Sequence, residues 1–341
     1  EHGRAIKEGN SPPYIKAPTP VQQQQQQTLM SEISDARRTL LKLQPLLAAA
    51  QSKWEASDAT TLPAETDWSI TDGLLAHFPL NGTLTNTADP KQPVQPLPAE
   101  ADYAVGQVGR AARQANGSHL ATDKSVAKFL YRDHMTLSTW FRPDQVKSGT
   151  VISKMTDEPR GKGYYVDLDD GHIRINLVAR WLDDSIRVET ARAIALHRWH
   201  HVMVTYDGSR KARGLKIYVN GQEEPLVVHH DFINQTFILD SEPLRIGSGQ
   251  SDFTGQIDDL SIYDRDLSPG EVQIVANARS IDTLAAISPA ERTSADRAKL
   301  RAFFLDQPAP EAIRTVYQRV VALRDKQRAL TDTIPTVMVM Q

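Results

Sequence analysis

The amino-acid sequence predicts a mainly β protein, an antiparallel β-sandwich inserted between long α-helices. Three observations predict it. Near both ends, apolar residues recur alternately every three and four positions, the period of a packed helix. Between them the period falls to two, in short runs rich in β-branched and aromatic residues. Those runs are joined by turn dipeptides rather than helices, so neighbouring strands must run antiparallel.

The elements follow in order. Residues 1–22 carry Pro12, Pro13, Pro18 and Pro20 and read as an extended linker. The run Gln22–Gln27 enters an apolar-periodic segment and reads as the first turns of a helix over 23–57. Leu29, Ile33, Ala36, Leu40, Leu43, Leu47, Ala50 and Trp54 form its a/d seam, with a kink expected at Pro45. The sandwich is expected over 66–282. Its strands include Leu74–Phe78, Thr150–Ser153, Tyr164–Leu168, His172–Leu177, His201–Tyr206 and Leu215–Val219. Asn220-Gly221 suits a type I′ turn, where both central residues need positive φ, and Asp170-Gly171 serves similarly. Ser268-Pro269-Gly270-Glu271 combines an N-cap, a first-turn proline and a capping glutamate, so a helix opens there. The helical segment 283–335 ends in a second seam, Ile313, Val316, Val320, Leu323, Gln327 and Leu330, bounded by Pro310 and Pro335. Each seam must be covered, and the simplest cover is the other one, as an antiparallel coiled coil. The closing Thr336–Gln341 reads as the start of a following, truncated domain, and Glu1 is no initiator, so an internal piece of a longer protein is expected.

Composition excludes several functions. The formal net charge of −3 argues against nucleic acid and anionic membranes as general partners. Cysteine is absent, so this chain holds no disulfide, no thiolate zinc site and no C-x-x-C-H attachment for haem.

Five motifs then resemble one family. Gly73-Leu-Leu-Ala-His-Phe-Pro-Leu-Asn-Gly82 resembles the opening strand of laminin-G-like, concanavalin A-like jelly rolls. Met135-Thr-Leu-Ser-Thr-Trp-Phe-Arg-Pro143 is similar to their strand around a buried Trp. Arg198-Trp-His-His-Val-Met-Val-Thr-Tyr-Asp-Gly208 with Ile217-Tyr-Val-Asn-Gly221 is the most specific match. Leu244-Arg-Ile-Gly247 and Gly255-Gln-Ile-Asp-Asp-Leu-Ser-Ile-Tyr-Asp264 complete the order. The resemblance implies a module that binds or scaffolds. The flanks, Glu1–Tyr14, Gln51-Ser-Lys-Trp-Glu55 and Thr336–Gln341, resemble the middle of planctomycete-type cytochrome c multidomain proteins. That second resemblance implies an exported parent protein whose haem lies on a separate domain.

The candidate chemistry is that of binding. Sugar recognition stacks a pyranose on an aromatic ring and fixes its hydroxyls with polar side chains. Arg180, Trp181, Asp183, Asp184 and Arg187 supply those types in one segment, just after Asn176. A polysaccharide or protein ligand is therefore expected there, besides the flanking domains as partners. The alternative is a purely structural spacer. Many relatives implied by the resemblance bind calcium, which takes six to eight oxygen ligands. Asp258, Asp259 and Asn81 are its candidates, and the neutral Asn81 predicts weak binding. His197, His200 and His201 are close in sequence, but strand neighbours face opposite ways, so a zinc site is disfavoured. A glycosidase needs two carboxylates across a cleft. Asp167, Asp169, Asp170, Glu223 and Glu224 read instead as solvated acids at turns, and no catalytic residue is expected.

Overall fold

The computed structural model describes residues 14–57, 62–63, 68–97, 100–115, 117–147, 149–237 and 240–338. The chain divides into two compact units. One comprises Glu1–Thr66, Ile281–Ala290 and Leu300–Gln341, and the other Asp67–Ser280 with Glu291–Lys299.

In chain order the first unit opens with β1 (Tyr14–Lys16), α1 (Pro20–Lys42) and α2 (Gln44–Ala56). The second holds β2 (Leu74–Phe78), β3 (Gln95–Leu97), β4 (Asp102–Val105), β5 (Arg110–Gln114), β6 (His119–Ala121), β7 (His134–Pro143), β8 (Gly149–Met155) and β9 (Gly163–Asp169). It continues through β10 (His172–Arg180), β11 (Asp184–Thr190), β12 (His200–Asp207), β13 (Leu215–Val219), β14 (Gln222–Glu223), β15 (Leu226–Phe232), β16 (Arg245–Ile246), β17 (Gly255–Tyr263) and α3 (Pro269–Val275). Then come α4 (Ile281–Ala286), α5 (Ser294–Asp306), α6 (Glu311–Thr333) and β18 (Thr336–Met338).

The second unit is a sandwich of two antiparallel sheets. One runs β15-β11-β10-β9-β8-β16-β6-β3, and the other β14-β13-β12-β7-β17-β5-β4, with β2 also pairing β17. Alternate residues of both sheets meet in one core. Leu137, Phe141, Val204, Ile217 and Ile257 come from one side, and Val166, Leu168, Ile173, Ile175, Leu177, Ile186 and Val188 from the other. The turn chemistry is as the sequence requires: Asn220 and Gly221 have φ of 52° and 77°, and Asp170 and Gly171 have 53° and 77°. α3 begins at its proline, and the Ser268 N–H donates to the Glu271 carboxylate at 2.8 Å. It covers the outer face of the second sheet, where Val272 and Val275 join Met203, Tyr218 and Tyr263. Trp140 lies on that same outer face, edge-on to His201 at 5.2 Å, rather than in the central core.

The helical unit departs from the expected boundaries. The extended linker ends early, because Thr19 caps a helix that begins at Pro20: its hydroxyl accepts from Gln22 N–H, and the Gln22 side chain accepts from Thr19 N–H. Tyr14–Lys16 pairs antiparallel with Thr336–Met338, so the terminal segment that reads as the opening of a following domain closes a two-stranded sheet here. Residues 1–13 and 339–341 of those two expectations lie outside the described residues. Pro45 does interrupt the first helix, which ends at Lys42 and restarts at Gln44. Leu29, Ile33 and Ala36 of α1 pack on Val320 and Leu323 of α6. The Gln22 side chain at the start of α1 donates to Thr333 O at the end of α6, so the two helices run in opposite directions. Trp54 of α2 packs between Phe303 and Phe304, with ring centroids 5.7 and 5.5 Å away.

Candidate functional site on the outer face of the β8–β11 sheet

The alternation that buries Val166, Leu168, Ile175, Leu177, Ile186 and Val188 turns the residues between them outward. Cross-strand register then assembles them into rows. In one, Thr150, Asp167, Arg174 and Glu189 stand on successive strands. In the next stand Ser153, Tyr165, Asn176, Arg187 and His230. Apart from His230 on the edge strand β15, both rows sit on central strands, whose hydrogen-bonded neighbours fix the side chains from either side.

The first row is a closed polar network. Asp167 accepts from Thr150 Oγ1 at 2.7 Å and Asn176 Nδ2 at 3.3 Å. Burial pushes its carboxyl up to about 7, against the pull of the Thr150 hydroxyl and Arg174. Arg174 bridges Asp169 and Glu189. Burial disfavours the charge on Glu189, yet the Arg174 hydrogen bond and charge, with His229 at 3.1 Å, hold its carboxyl below the usual range. Asp167 and Glu189 thus differ in the way catalytic carboxylates differ. Arg174 stands between them in the row, and Glu189 is bound on both oxygens, which leaves no bare carboxylate for nucleophile or water.

In the second row Ser153, Asn176 and His230 have hydrogen-bond partners, while the Tyr165 hydroxyl and Arg187 Nε have none. Trp181 caps the row from the β10–β11 turn, packed on Met155, Tyr165 and Val178. The Arg187 guanidinium lies over the indole at 4.1 Å, and that of Arg160 at 5.2 Å. Beneath them the Tyr165 hydroxyl and Arg187 Nε are buried with no hydrogen-bond partner. Burial and then the Arg160 charge lower the Arg187 pKa, opposed by Tyr165.

The five residues of the expected ligand segment fall into two groups. Trp181 and Arg187 are in contact. Arg180 and Asp183 pair with one another at 3.1 Å on the surface. Asp184, expected as a ligand contact, is 1% exposed: Oδ2 lies 3.9 Å from Arg180, and Oδ1 accepts the Asn234 N–H at 2.6 Å, tying β11 to the chain after β15. The Trp181 ring, expected to stack a sugar, carries a guanidinium on one face. The acids at 167 and 169, expected as solvated turn residues, belong to the outer face. Arg160, Tyr165, Arg174 and Glu189 were not foreseen. The alternation of Gly163–Asp169 could have shown that Tyr165 and Asp167 share a face, but nothing in the sequence marks Arg160.

The expected calcium ligands also separate. Asp258 Oδ2 accepts the Gln107 and Val108 N–H groups at 2.9 and 2.8 Å, and Asn81 Oδ1 accepts Arg110 N–H at 2.8 Å. Both brace the 106–110 turn. Asp259, at φ 48°, turns instead to His77 Nε2 at 2.7 Å. Backbone N–H donors occupy one Asp258 oxygen, the other is buried without a partner, and Asn81 and Asp259 are engaged elsewhere, so the three side chains are not gathered as one oxygen cage. Among the described residues no group of three or more His, Cys, Asp or Glu is placed to hold a metal. His200 Nε2 donates to Ala195 O, and His201 Nε2 shares a hydrogen bond with the Ser138 hydroxyl, on opposite sides of their strand.

Asp258 has a consequence for stability. Burial and then the Asp259 charge, against opposing N–H bonds from Val108, Gln107 and Asp259, leave its carboxyl pushed up to about 7, above its usual value near 4. The folded state therefore binds the proton more tightly than the unfolded one. The associated stabilisation is complete below about pH 4 and is lost as pH rises through about 7. Asp258→Asn should raise the melting temperature at pH 8 and change it little at pH 4, as read by thermal unfolding at both. Lower stability at pH 8 would show that the ionised carboxylate is the form the fold requires.

Comparisons with known proteins follow this geometry. Residues 114–273 match the Laminin_G_3 family, described as the concanavalin A-like lectin/glucanases superfamily. Among curated proteins no match is found. Among solved structures, the chain is similar to domain 4 of AbnA, a GH43 extracellular arabinanase from Geobacillus stearothermophilus, in complex with arabinotriose. The identity is 20% and the TM-score 0.42, over 60% of this chain and 98% of that one. It is similar also to the binding domain of Paraclostridial Mosquitocidal Protein 1, with 17% identity and TM-score 0.48, over 61% of this chain and 52% of the other. The receptor binding domain of botulinum neurotoxin D gives 13% and 0.44, over 61% and 53%. The chain thus spans about half the length of these last two. Identities this low speak only to fold. Among the described residues no helix is long and apolar enough to cross a membrane. Residues 114–273, which match that family's model, lie within the two antiparallel sheets and their shared core, so this segment is similar to concanavalin A-like jelly rolls of the laminin-G kind.

Proposed function

We propose that the jelly roll is a non-catalytic binding module, and that its ligand is a polysaccharide seated on the outer face of β8–β11 around Trp181. The observation that carries this is the partly satisfied row: the Tyr165 hydroxyl and Arg187 Nε lack protein partners on rigid central strands, beneath the Trp181 ring at the adjoining turn. Rigid strands hold such groups in register, which lowers the ordering cost of binding. The closed row beside it supports the non-catalytic reading, since both acids are engaged. The helices α1 and α6 are proposed to act as an antiparallel coiled coil that carries the module. The flanking motifs support a place in an exported, cytochrome c-type multidomain parent, and the full reading frame with its leader and any C-x-x-C-H site would test that.

Binding of the whole chain to a glycan array, with Trp181→Ala alongside, tests the module. The expected result is retention of at least one glycan and loss in the variant, with the variant still folded at the assay temperature and its melting temperature lowered by the lost packing on Met155, Tyr165 and Val178. Asp184→Ala is the contrasting control, expected to lower stability by about 1–3 kcal/mol through its unsatisfied N–H partner. If Trp181→Ala collapses the fold and no glycan is ever retained, the structural spacer becomes the better reading.

A further inference from the structure

We infer that the ligand of this face is an acidic polysaccharide, and that Arg187 and Arg160 receive its anionic group, a carboxylate or a sulfate, beside Trp181. The inference rests on the proposed binding face and adds the chemical class of what binds there.

Elsewhere on this sheet and in the loops beside it, arginines have carboxylate partners. Arg174 holds two carboxylates, Arg180 pairs with Asp183, and Arg192 pairs with Glu224. Arg245, on the same sheet, pairs with Glu242. Among the described residues neither Arg187 nor Arg160 has a carboxylate within ion-pair distance. Both guanidiniums rest on one indole ring, which fixes their position without neutralising them. Two like charges gathered at one ring repel, and the Arg160 charge does lower the Arg187 pKa. Such a cluster is disfavoured unless an anion joins it.

A second observation points the same way. Tyr165 is fully buried with its hydroxyl unpartnered, and Arg187 Nε is buried without a partner. Buried donors of this kind are seldom left unsatisfied, and each costs about 1–3 kcal/mol. An oxyanion on Arg187 would take charge-assisted hydrogen bonds from a planar fork suited to carboxylate or sulfate. Arg160 is exposed at the rim, and its own N–H is fixed by the Gln250 side chain at 2.6 Å, so the loop bearing it is anchored at the site. The chain as a whole is acidic, at −3, so general attraction of polyanions does not account for binding here.

The test uses the full chain and three polymers: polygalacturonate for carboxylate, dextran sulfate for sulfate, and unmodified dextran as neutral. Affinity is measured by calorimetry at two salt concentrations, beside a panel of neutral plant glycans. Binding to at least one acidic polymer, weakened by salt and absent for dextran, is expected. Arg187→Gln should weaken it tenfold or more and Arg160→Gln severalfold, while Arg213→Gln, an exposed arginine on another element, should change nothing. Melting curves accompany each variant, and Arg160→Gln, at the surface, keeps the test open if Arg187→Gln unfolds. Preference for the carboxylate or the sulfate polymer identifies the group. Retention of neutral glycans alone, still dependent on Trp181, would overturn the acidic ligand and leave the binding face standing. Acidic binding unaffected by Arg187→Gln and Arg160→Gln would overturn the site. Retention of no glycan at all would remove the proposed function itself.

Discussion

Phe141→Ala should destabilise the jelly roll by about 3–5 kcal/mol, the range for emptying a buried aromatic site. Phe141 is 0% exposed and lies edge-on to Phe253, with centroids 5.8 Å apart at 88°. It belongs to β7, which pairs with β12 on one side and β17 on the other, so the surrounding backbone is held from both sides and collapses poorly into the void. Edge-to-face geometry adds roughly 0.5–1.5 kcal/mol that the alanine forfeits. A domain stable by about 5–15 kcal/mol loses a large fraction of its margin. Urea unfolding followed by tryptophan fluorescence measures it, and a midpoint within error of the parent would mean that the sandwich core is not where the alternation places it. Phe141 is remote from the outer face of the opposite sheet, so polysaccharide affinity below the melting transition should stay unchanged.

Val320→Asp should destabilise the helical unit by about 2–5 kcal/mol, through loss of a buried aliphatic and burial of a carboxylate without a partner. Val320 is 4% exposed and sits in the cluster with Ile33, Ala36 and Leu323. Leu40, another seam position, is only half-buried and should tolerate Asp better. Hydrogen exchange reports where protection is lost, expected across Pro20–Lys42 and Glu311–Thr333 while the sandwich amides keep theirs. Sedimentation supplies the second reading. A dimer in the parent that dissociates in the variant would replace the intramolecular pairing with one between two chains.

The period of the sequence was enough to separate strands from helices. Alternation alone settles which side of Tyr164–Leu168 and His172–Leu177 is buried, because a one-residue slip would turn every apolar side chain to water. Turn chemistry is equally local: Asn220-Gly221 and the Ser268 capping box are dictated by residues in contact along the chain. The heptad spacing was legible for the same reason, and the break at Pro45 follows from a missing N–H. Fold class, strand positions, helix seams and the resemblance to concanavalin A-like jelly rolls were therefore decided by the sequence itself.

The site was decided by register between distant segments. Trp181 looked like a stacking platform because its neighbours in sequence are polar. Only the pairing of β10 with β9 and β11 sets Tyr165 and Arg187 beneath it, and only the 156–162 loop brings Arg160 over its ring. Asp184 carries the same side chain as Asp183 one residue earlier, yet one is at the surface and the other buried against Asn234, a contact fifty residues away. Asp258 and Asp259 are adjacent, and the positive φ of Asp259 sends their carboxylates to different partners. The pairing of Tyr14–Lys16 with Thr336–Met338 joins the two ends of the described chain. No local pattern encodes such contacts, because they depend on where the whole fold returns each segment, and the charges and unpartnered donors that define a site are set by those neighbours in space.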